Sequence, residues 1–555
     1  MTWTIADDTP SRRIFTRPLD TLELGFFYAS KRNGVTDLVE NYLAVTSDQS
    51  LFLPENVSRA WVAVKGIFPL LGGAVKELES DIPSALFVIS ESDLKIARPG
   101  ETTLCVAHSE EEVHSFVDRL FSGPRQLSDE LLARLYIYSR ADEPGHFHAV
   151  FIHSHSIIDD TSALAMIRTF FDVLSLPPHL EVPDLQTRLA LCVGIHCLDP
   201  NKHLSKAQMR WRRAAGQIIR QGRNLKLKGG TTLPRTTTTH TRFKTSLSRR
   251  ATITFSRDQS SLLFANSRKH SITVGSVLPV LGQMGTTRVL YRRYLRGEID
   301  EERWRWYRTQ PFHAVGPINL RSYLDREWYE GGGAEVVMLG INFYSITCPS
   351  MPTVSEEWLL RHQSELEDGA PPFSALLPQD LFVRRVQAVR KQVKAIVAHP
   401  LFYEIAAYPV ARTLEWKATL EKWEKLRAGG ELEETEKPIL DFLSDDYLCH
   451  NGGASLGNID PLRPTKYPLD PDNPLSSRKY YPESQDQATE STTPTIRIIK
   501  SWKKLSVHPA EFYLGAETKD QELSIYVSWD GKVFEDELVE EWLEEIRKAT
   551  VYYLC

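Results

Sequence analysis

The chain has 555 residues, 42% of them hydrophobic and 25% charged, with a formal net charge of −6 and a pI near 6.3. At roughly 100–200 residues per domain, this length calls for two or three globular units rather than one core. The acidic balance excludes the basic surplus of a nucleic-acid binder, and the short clusters at Arg210–Arg213 and Lys500–Lys504 read as solvated faces.

The opening MTWTIADDTPSRRIF has no apolar h-region, so no secretory signal is expected. From Asn56, read as an N-cap, Val57, Trp61, Val64 and Ile67/Phe68 recur at helical spacing. The formal sequon Asn56-Val57-Ser58 is read as this helix start. The apolar stretch Trp61–Val75 is broken by Lys65 and is shorter than the roughly 20 residues of a membrane span; a cytoplasmic protein without a membrane partner is expected. Short β-like runs follow at Ser84–Ile89, Thr103–Ala107, Leu135–Tyr138 and Ala149–Ile152, with an amphipathic helix over Glu110–Phe121 between the second and third. Another helix is predicted over Thr161–Leu174, ended by Pro177-Pro178. Cys192, His196, Cys197 and His203 cluster but match no structural zinc spacing, so no metal is expected. The six cysteines form no paired framework and are read as reduced thiols.

Residues 216–250 turn polar and Thr-rich and read as an exposed crossover connector. It divides the chain into an N-terminal domain, 1–215, and a C-terminal domain, 251–555. In the latter, ATITFS reads as a strand and Ile272–Leu290 as a helix starting near Ser271 or Thr273. Phe382–Val397 and Pro409–Leu426 read as charged amphipathic helices. Residues 460–493, rich in Pro, Ser and Asp, read as a long surface loop. A strand (Leu523–Trp529), a turn at Asp530-Gly531 and a helix (Glu535–Tyr552) close the chain. Mixed elements of this kind define an α/β or α+β protein.

The most informative segment is HFHAVFIHSHSIIDDTSALAMIRTFFDVL. An apolar strand, Ala149–Ile152, runs into a polar turn, His153-Ser154-His155-Ser156. Ile157 and Ile158 are apolar again, and Asp159-Asp160-Thr161-Ser162 can cap the next helix. His and Asp four apart is a weak signal by itself. With sixteen histidines, about one such match arises by chance if Asp is about 5% of residues. His114…Asp118 is a second match, in a helical pattern where residues four apart share a face and an exposed ion pair accounts for it. His155 differs in standing at a strand-to-helix turn, where a rigid scaffold presents reactive side chains.

Here the chain resembles the chloramphenicol-acetyltransferase-like superfamily, which includes the plant BAHD acyltransferases, fungal O-acetyltransferases and peptide-synthetase condensation domains. The family signature His-His-x-x-x-Asp-Gly is met by His155 and Asp159, with Ser154 in place of the first His and Asp160 in place of the Gly. Asn319-Leu320-Arg321 resembles the family's Asp/Asn-x-Arg element, Gly340-Ile341-Asn342 its Gly-Asn element, and Gly457 the last glycine of its Asp-Phe-Gly-Trp-Gly element. Arg17-Pro18-Leu19-Asp20 and the Asp530-Gly531 ending are similar to fungal members.

The resemblance implies an α/β protein of two similar mixed-sheet sandwich domains with a tunnel at their interface. It implies a monomeric acyltransferase of secondary metabolism. An acyl group, acetyl or another short acyl, passes from acyl-CoA as co-substrate to a hydroxyl or amine of a small molecule. His155 is then the general base, suited by an unperturbed pKa near 6.5, and Asp159 is structural, paired with Arg321. Asn342 and Gly457 are supporting residues. No permanently bound cofactor is expected, and the residues contacting coenzyme A are unassigned. Three alternatives compete. A carrier protein can hold the acyl donor, as for condensation domains. The fold can serve a non-catalytic binder, prompted by Asp160. Gly453-Ala454-Ser455-Leu456-Gly457, followed by Asp472 and His508, spells a serine hydrolase, although it lacks the preceding strand and following helix that motif needs.

Overall fold

Two extended sheets share the chain, and one segment crosses between them. The structure, a computed structural model, describes residues 2–9, 12–178, 181–407, 411–443, 446–481 and 495–555. The first extended sheet has six strands in the order Lys466–Tyr467, Ile496–Leu505, Leu38–Thr46, His146–His153, Ala133–Arg140 and Thr102–Ala107. Side-chain alternation gives it two faces. Along His146–His153, Ala149 and Phe151 join the main core with Phe170 and Phe171 of helix Asp160–Leu174. Val150 and Ile152 point the other way, onto Val113 and Val117 of helix Glu110–Ser122. A strand covered on both faces carries a continuous apolar run instead of a polar–apolar alternation, which is how Ala149–Ile152 reads. A four-stranded sheet (Thr4–Thr9, Arg12–Pro18, Ser84–Ser90, Ala74–Leu78) completes this half.

The second extended sheet orders Ser248–Thr254, Glu522–Asp530, Phe512–Lys519, Cys449–Gly452, Phe312–Asn319 and Ile341–Cys348, with Ser455–Asn458 paired beside Phe512–Lys519. Its core packs helices Val274–Leu295, Gln379–Val397 and Asp536–Leu554, with Trp542 fully buried among them. The fold is thus α/β, with two mixed-sheet, helix-covered halves.

Strand Ile496–Leu505 follows the second half in sequence yet pairs antiparallel with Leu38–Thr46, from Ile496 opposite Thr46 to Leu505 opposite Leu38. The chain then returns at once to the second sheet as Phe512–Lys519. Residues 506–511 therefore bridge the two sheets.

Several sequence expectations change in the folded chain. The helix expected from Asn56 is Pro54–Ile67, with Leu53 as N-cap and Pro54 in its first turn. Proline is pre-organised for that position, and Asn56 instead donates to Ser50 O at 2.8 Å. The stretch read as an exposed connector starts inside helix Lys206–Asn224, and Thr231, Thr232 and Leu233 are buried. The region read as a surface loop lies partly outside the described residues, at 482–494. Its described part is anchored by buried Tyr467 and Leu469 and by the Asp172 carboxylate, which accepts from Leu469 N and Ser477 N at 2.6 Å each. Pro409, the expected start of one helix, also lies outside the described residues; the helix is described as Ala411–Arg427. Among the described residues no helix is long and apolar enough to cross a membrane.

Candidate active site

The strand-to-helix turn is built from its apolar residues outward. His153 forms the last rung of its strand, opposite Leu38. Ser154 N then donates to Leu132 O (2.9 Å) and Ile157 N to Ser154 O (3.1 Å). Ile157 and Ile158 are completely buried in the main core. Burying such side chains contributes about 1.5–3 kcal/mol each, so they hold the turn and leave His155 facing the seam between the halves.

Asp159 caps the helix that follows. Its Oδ1 accepts from Ser162 N at 3.0 Å, and its Oδ2 accepts from Arg321 Nη1 at 2.9 Å and Gly340 N at 2.7 Å. Arg321 donates further, from Nη2 to Ser162 Oγ (2.6 Å) and Met338 O (3.0 Å), while Asn319 Oδ1 accepts from Arg321 N at 3.0 Å. Both partners of the ion pair are 2% exposed. The carboxylate is thus occupied by three donors, and no hydrogen bond joins it to His155 among the described residues. It ties the turn to the second half of the chain.

His155 is part-buried and lines a cavity of about 760 Å³ between the halves. Phe26, on helix Thr21–Lys31, stacks on the imidazole with ring centroids 4.2 Å apart at 24°. That helix is set by a capping box at Asp20 and Glu23, and Glu23 holds the buried Arg17 at 2.7 Å. Nδ1 of His155 is buried, the ring is supported by the backbone of His155 itself and of Ile158, and the Nε2 edge is left to the cavity. Burial pulls the His155 pKa below its ordinary value; the Asp160 and Asp159 carboxylates oppose that pull. The ring is neutral near pH 7, with a lone pair available to take a proton.

Asp160 stands where the family signature has glycine. It is the first residue of the helix and has no positive φ, so this turn does not need one. Its Oδ1 accepts from Lys503 Nζ at 2.7 Å. Burial raises the Asp160 carboxyl, but the Lys503 ammonium more than offsets it and holds the pKa below the usual carboxylate range. The lysine cluster read as a solvated face is therefore divided. Lys500 pairs with Glu110 and Lys504 with Asp118 outside, while Lys503, on a strand whose side chains alternate, turns in to Asp160. His114 is half-exposed and faces Glu110 at 3.6 Å, not Asp118.

Asn319 and Arg321 line the His155 cavity; Asn342 and Gly457 do not. Asn342 donates to Ala406 O at 2.7 Å and lines a separate cavity of about 820 Å³. Gly457 is exposed, with φ of 71°, and lines a cavity of about 830 Å³ in the second half. That cavity and the His155 cavity share Pro317, Ala454 and Ser455 as common wall. Ser455 begins a short edge strand followed by a 3-10 turn, not a helix, and no hydrogen bond joins it to a histidine among the described residues. Asp472 N donates to Asp470 Oδ1 within its own loop. The serine-hydrolase triad is not assembled. Phe26 and Glu511 reach the site without any sequence signal, and Lys503 and His508, noted in the sequence only as part of a solvated cluster and of the hydrolase alternative, reach it in other roles; each comes from an element remote in the chain.

No protein-family model and no curated protein matches the sequence. The fold is nevertheless shared with solved structures. TRI3 trichothecene 15-O-acetyltransferase from Fusarium sporotrichioides aligns with a TM-score of 0.68 at 10% identity, over 100% of this chain and 98% of that one. The condensation domain of the Monacolin K polyketide synthase MokA gives 0.54 at 11% identity, over 97% of each chain. A mutant starter condensation domain of rhizomide synthetase RzmA in complex with C8-CoA gives 0.54 at 10% identity, over 97% of this chain and 95% of that one. At these identities the likeness is one of fold. The architecture is the chloramphenicol acetyltransferase-like one, common to this fungal acetyltransferase and to condensation domains.

Proposed function

We propose that the protein is an acyltransferase in which His155 acts as general base, moving acetyl or another short acyl group from acyl-CoA to a hydroxyl or amine of a small molecule. One observation carries this reading: the His155 imidazole lines a cavity at the seam of the two halves, its neutral form favoured by burial, while Asp159 is fully engaged elsewhere. The acceptor's proton passes to His155 Nε2 as its oxygen or nitrogen attacks the thioester carbonyl carbon. The carbonyl π pair moves onto oxygen. Collapse of the tetrahedral species expels the coenzyme A thiolate, which recovers the proton from the imidazolium, so no acyl-enzyme forms. General-base action of this kind supplies about 10²–10⁴-fold. The His155 cavity is where donor and acceptor would meet, with a second cavity across the shared wall of Pro317, Ala454 and Ser455.

The fold is equally that of condensation domains, so the alternative is an acyl group held on a carrier protein, a donor that would have to act on this chain in trans. The test is thiol release from acetyl-CoA by the purified protein and by His155→Ala, with acetyl-CoA binding measured beside it. Binding retained with release reduced at least about 10²-fold supports the base. Undiminished release in the variant sinks it, and binding without release in the wild type, with water and small alcohols and amines offered as acceptors, counts against acetyl-CoA as the donor.

A further inference from the structure

The segment bridging the two sheets places a second histidine in the same cavity. Leu505, Leu38 and His153 form one rung across three adjacent strands. The outer two chains both run on past that rung, one to His155 and the other to His508, and both residues line the cavity. Helix Thr21–Lys31 serves both. Phe26 stacks on His155, and Arg32, the C-cap of that helix, lies 3.2 Å by Nη2 from Nδ1 of His508.

A guanidinium has only donors, so Nδ1 of His508 must accept, and the ring's proton sits on Nε2. Arg32 is 8% exposed; its other hydrogen bond goes to Arg242 O at 3.2 Å, and burial lowers its pKa only to about 10, so it stays charged at neutral pH. Protonating His508 at Nδ1 would set two donors and two cations against each other. Burial first, then Arg32 and His155, pull the His508 pKa down to about 3. Two other titratable groups reach this turn: Glu511, whose Oε2 accepts from His508 N at 2.7 Å and which burial raises to about 7, and Asp530, whose Oδ2 accepts from Ala510 N at 3.0 Å. Nε2 of His508 is neither buried nor hydrogen-bonded among the described residues.

We propose that His508 is a catalytic residue of opposite role to His155: a permanently neutral Nε2–H donor that binds the thioester carbonyl oxygen and holds it as it becomes the oxyanion. The proposal rests on the acyl-transfer reading above. His155 takes a proton; His508 never gives its own up, and stabilises charge only by hydrogen bonding. A pre-oriented donor of this kind is worth about 10²–10³ in kcat.

Two measurements on the full chain test it. Selective ¹⁵N-histidine NMR, with His508 assigned through His508→Gln, should show the neutral Nε2–H tautomer from pH 5 to 8; an Nδ1–H tautomer, or titration near the ordinary histidine value, overturns the proposal without touching His155. Thiol release from acetyl-CoA, with water as acceptor, should fall about 10²–10³-fold in kcat for His508→Ala with a smaller change in KM. His508→Gln, whose amide N–H can stand in for Nε2–H, should recover at least tenfold of that loss. His508→Ala retaining full release while His155→Ala loses it overturns the His508 role alone. His155→Ala retaining release overturns the base. A wild-type protein that neither binds nor cleaves acetyl-CoA overturns both.

Discussion

The backbone of Gly340 lies against the guanidinium of Arg321 so closely that a Cβ at position 340 would stand 2.6 Å from Nη1 and 2.7 Å from Cζ. The same residue donates its N–H to Asp159 Oδ2. Only a residue without a side chain lets the arginine and the amide reach one carboxylate together. Gly340→Ala should therefore displace Arg321, destabilise the fold by about 1–3 kcal/mol as an overpacked site does, and lower turnover. Urea unfolding and thiol release from acetyl-CoA check this; a variant equal to wild type in both contradicts it.

Removing either partner of the Asp159–Arg321 pair leaves an uncompensated buried charge. Asp159→Ala and Arg321→Met should each cost about 3–5 kcal/mol. The double variant should cost clearly less than the sum, because the second change removes the charge that the first one stranded. Chemical denaturation of the three variants measures the coupling, and simple additivity would show that the pair is not a unit.

Phe26 stacks on His155, and under the proposed mechanism it should act on the base by packing. Phe26→Ala removes a stacked ring contact worth about 0.5–1.5 kcal/mol, so turnover should fall roughly two- to tenfold, with little change in the pH profile. A large shift of that profile would mean that Phe26 controls the pKa of His155 rather than its position.

Under the proposed mechanism Asp160 and its partner Lys503 should tune the acid limb of activity, on top of burial. On the proposed mechanism His155 must be neutral to act as base, so turnover should be lost as pH falls through its pKa. Burial already places that pKa below the ordinary histidine value, and Asp160 works against burial. Asp160→Asn removes the opposing anion and leaves the Lys503 cation, so the limb moves to lower pH. The weaker base should also lower the plateau rate. Lys503→Met strips the cation from Asp160 and should move the limb the other way. The pH dependence of kcat measured on both variants decides it, and shifts of the same sign would refute the arrangement.

Ser455 shares the cavity wall but bonds to no histidine among the described residues. Ser455→Ala should leave thiol release from acetyl-CoA within about twofold of wild type, since surface substitutions outside such networks change energies by about ±0.5 kcal/mol. Loss of release would revive the hydrolase reading.

What could be read in the sequence was local. The turn from Ala149–Ile152 through His155 to the capped helix is written in consecutive residues, because a covered strand, a polar turn and an N-cap each depend on near neighbours. The helices 110–122, 160–174 and 536–554 follow from their apolar periodicity in the same way. The Asp159–Arg321 ion pair was within reach only through the family resemblance, since no periodicity links positions so far apart.

The tertiary structure decided the rest. Strand Ile496–Leu505 leaves the half it follows in sequence and pairs with Leu38–Thr46, and that exchange alone brings Lys503 to Asp160 and His508 to the cavity. Which lysine of 500, 503 and 504 turns inward depends on strand register, where a shift of one residue reverses every side chain. That Asn342 and Gly457 fall outside the His155 cavity is likewise a matter of how the second sheet packs. Sequence sets the chemistry a segment can offer; which segments meet depends on long-range pairing, which no local pattern encodes.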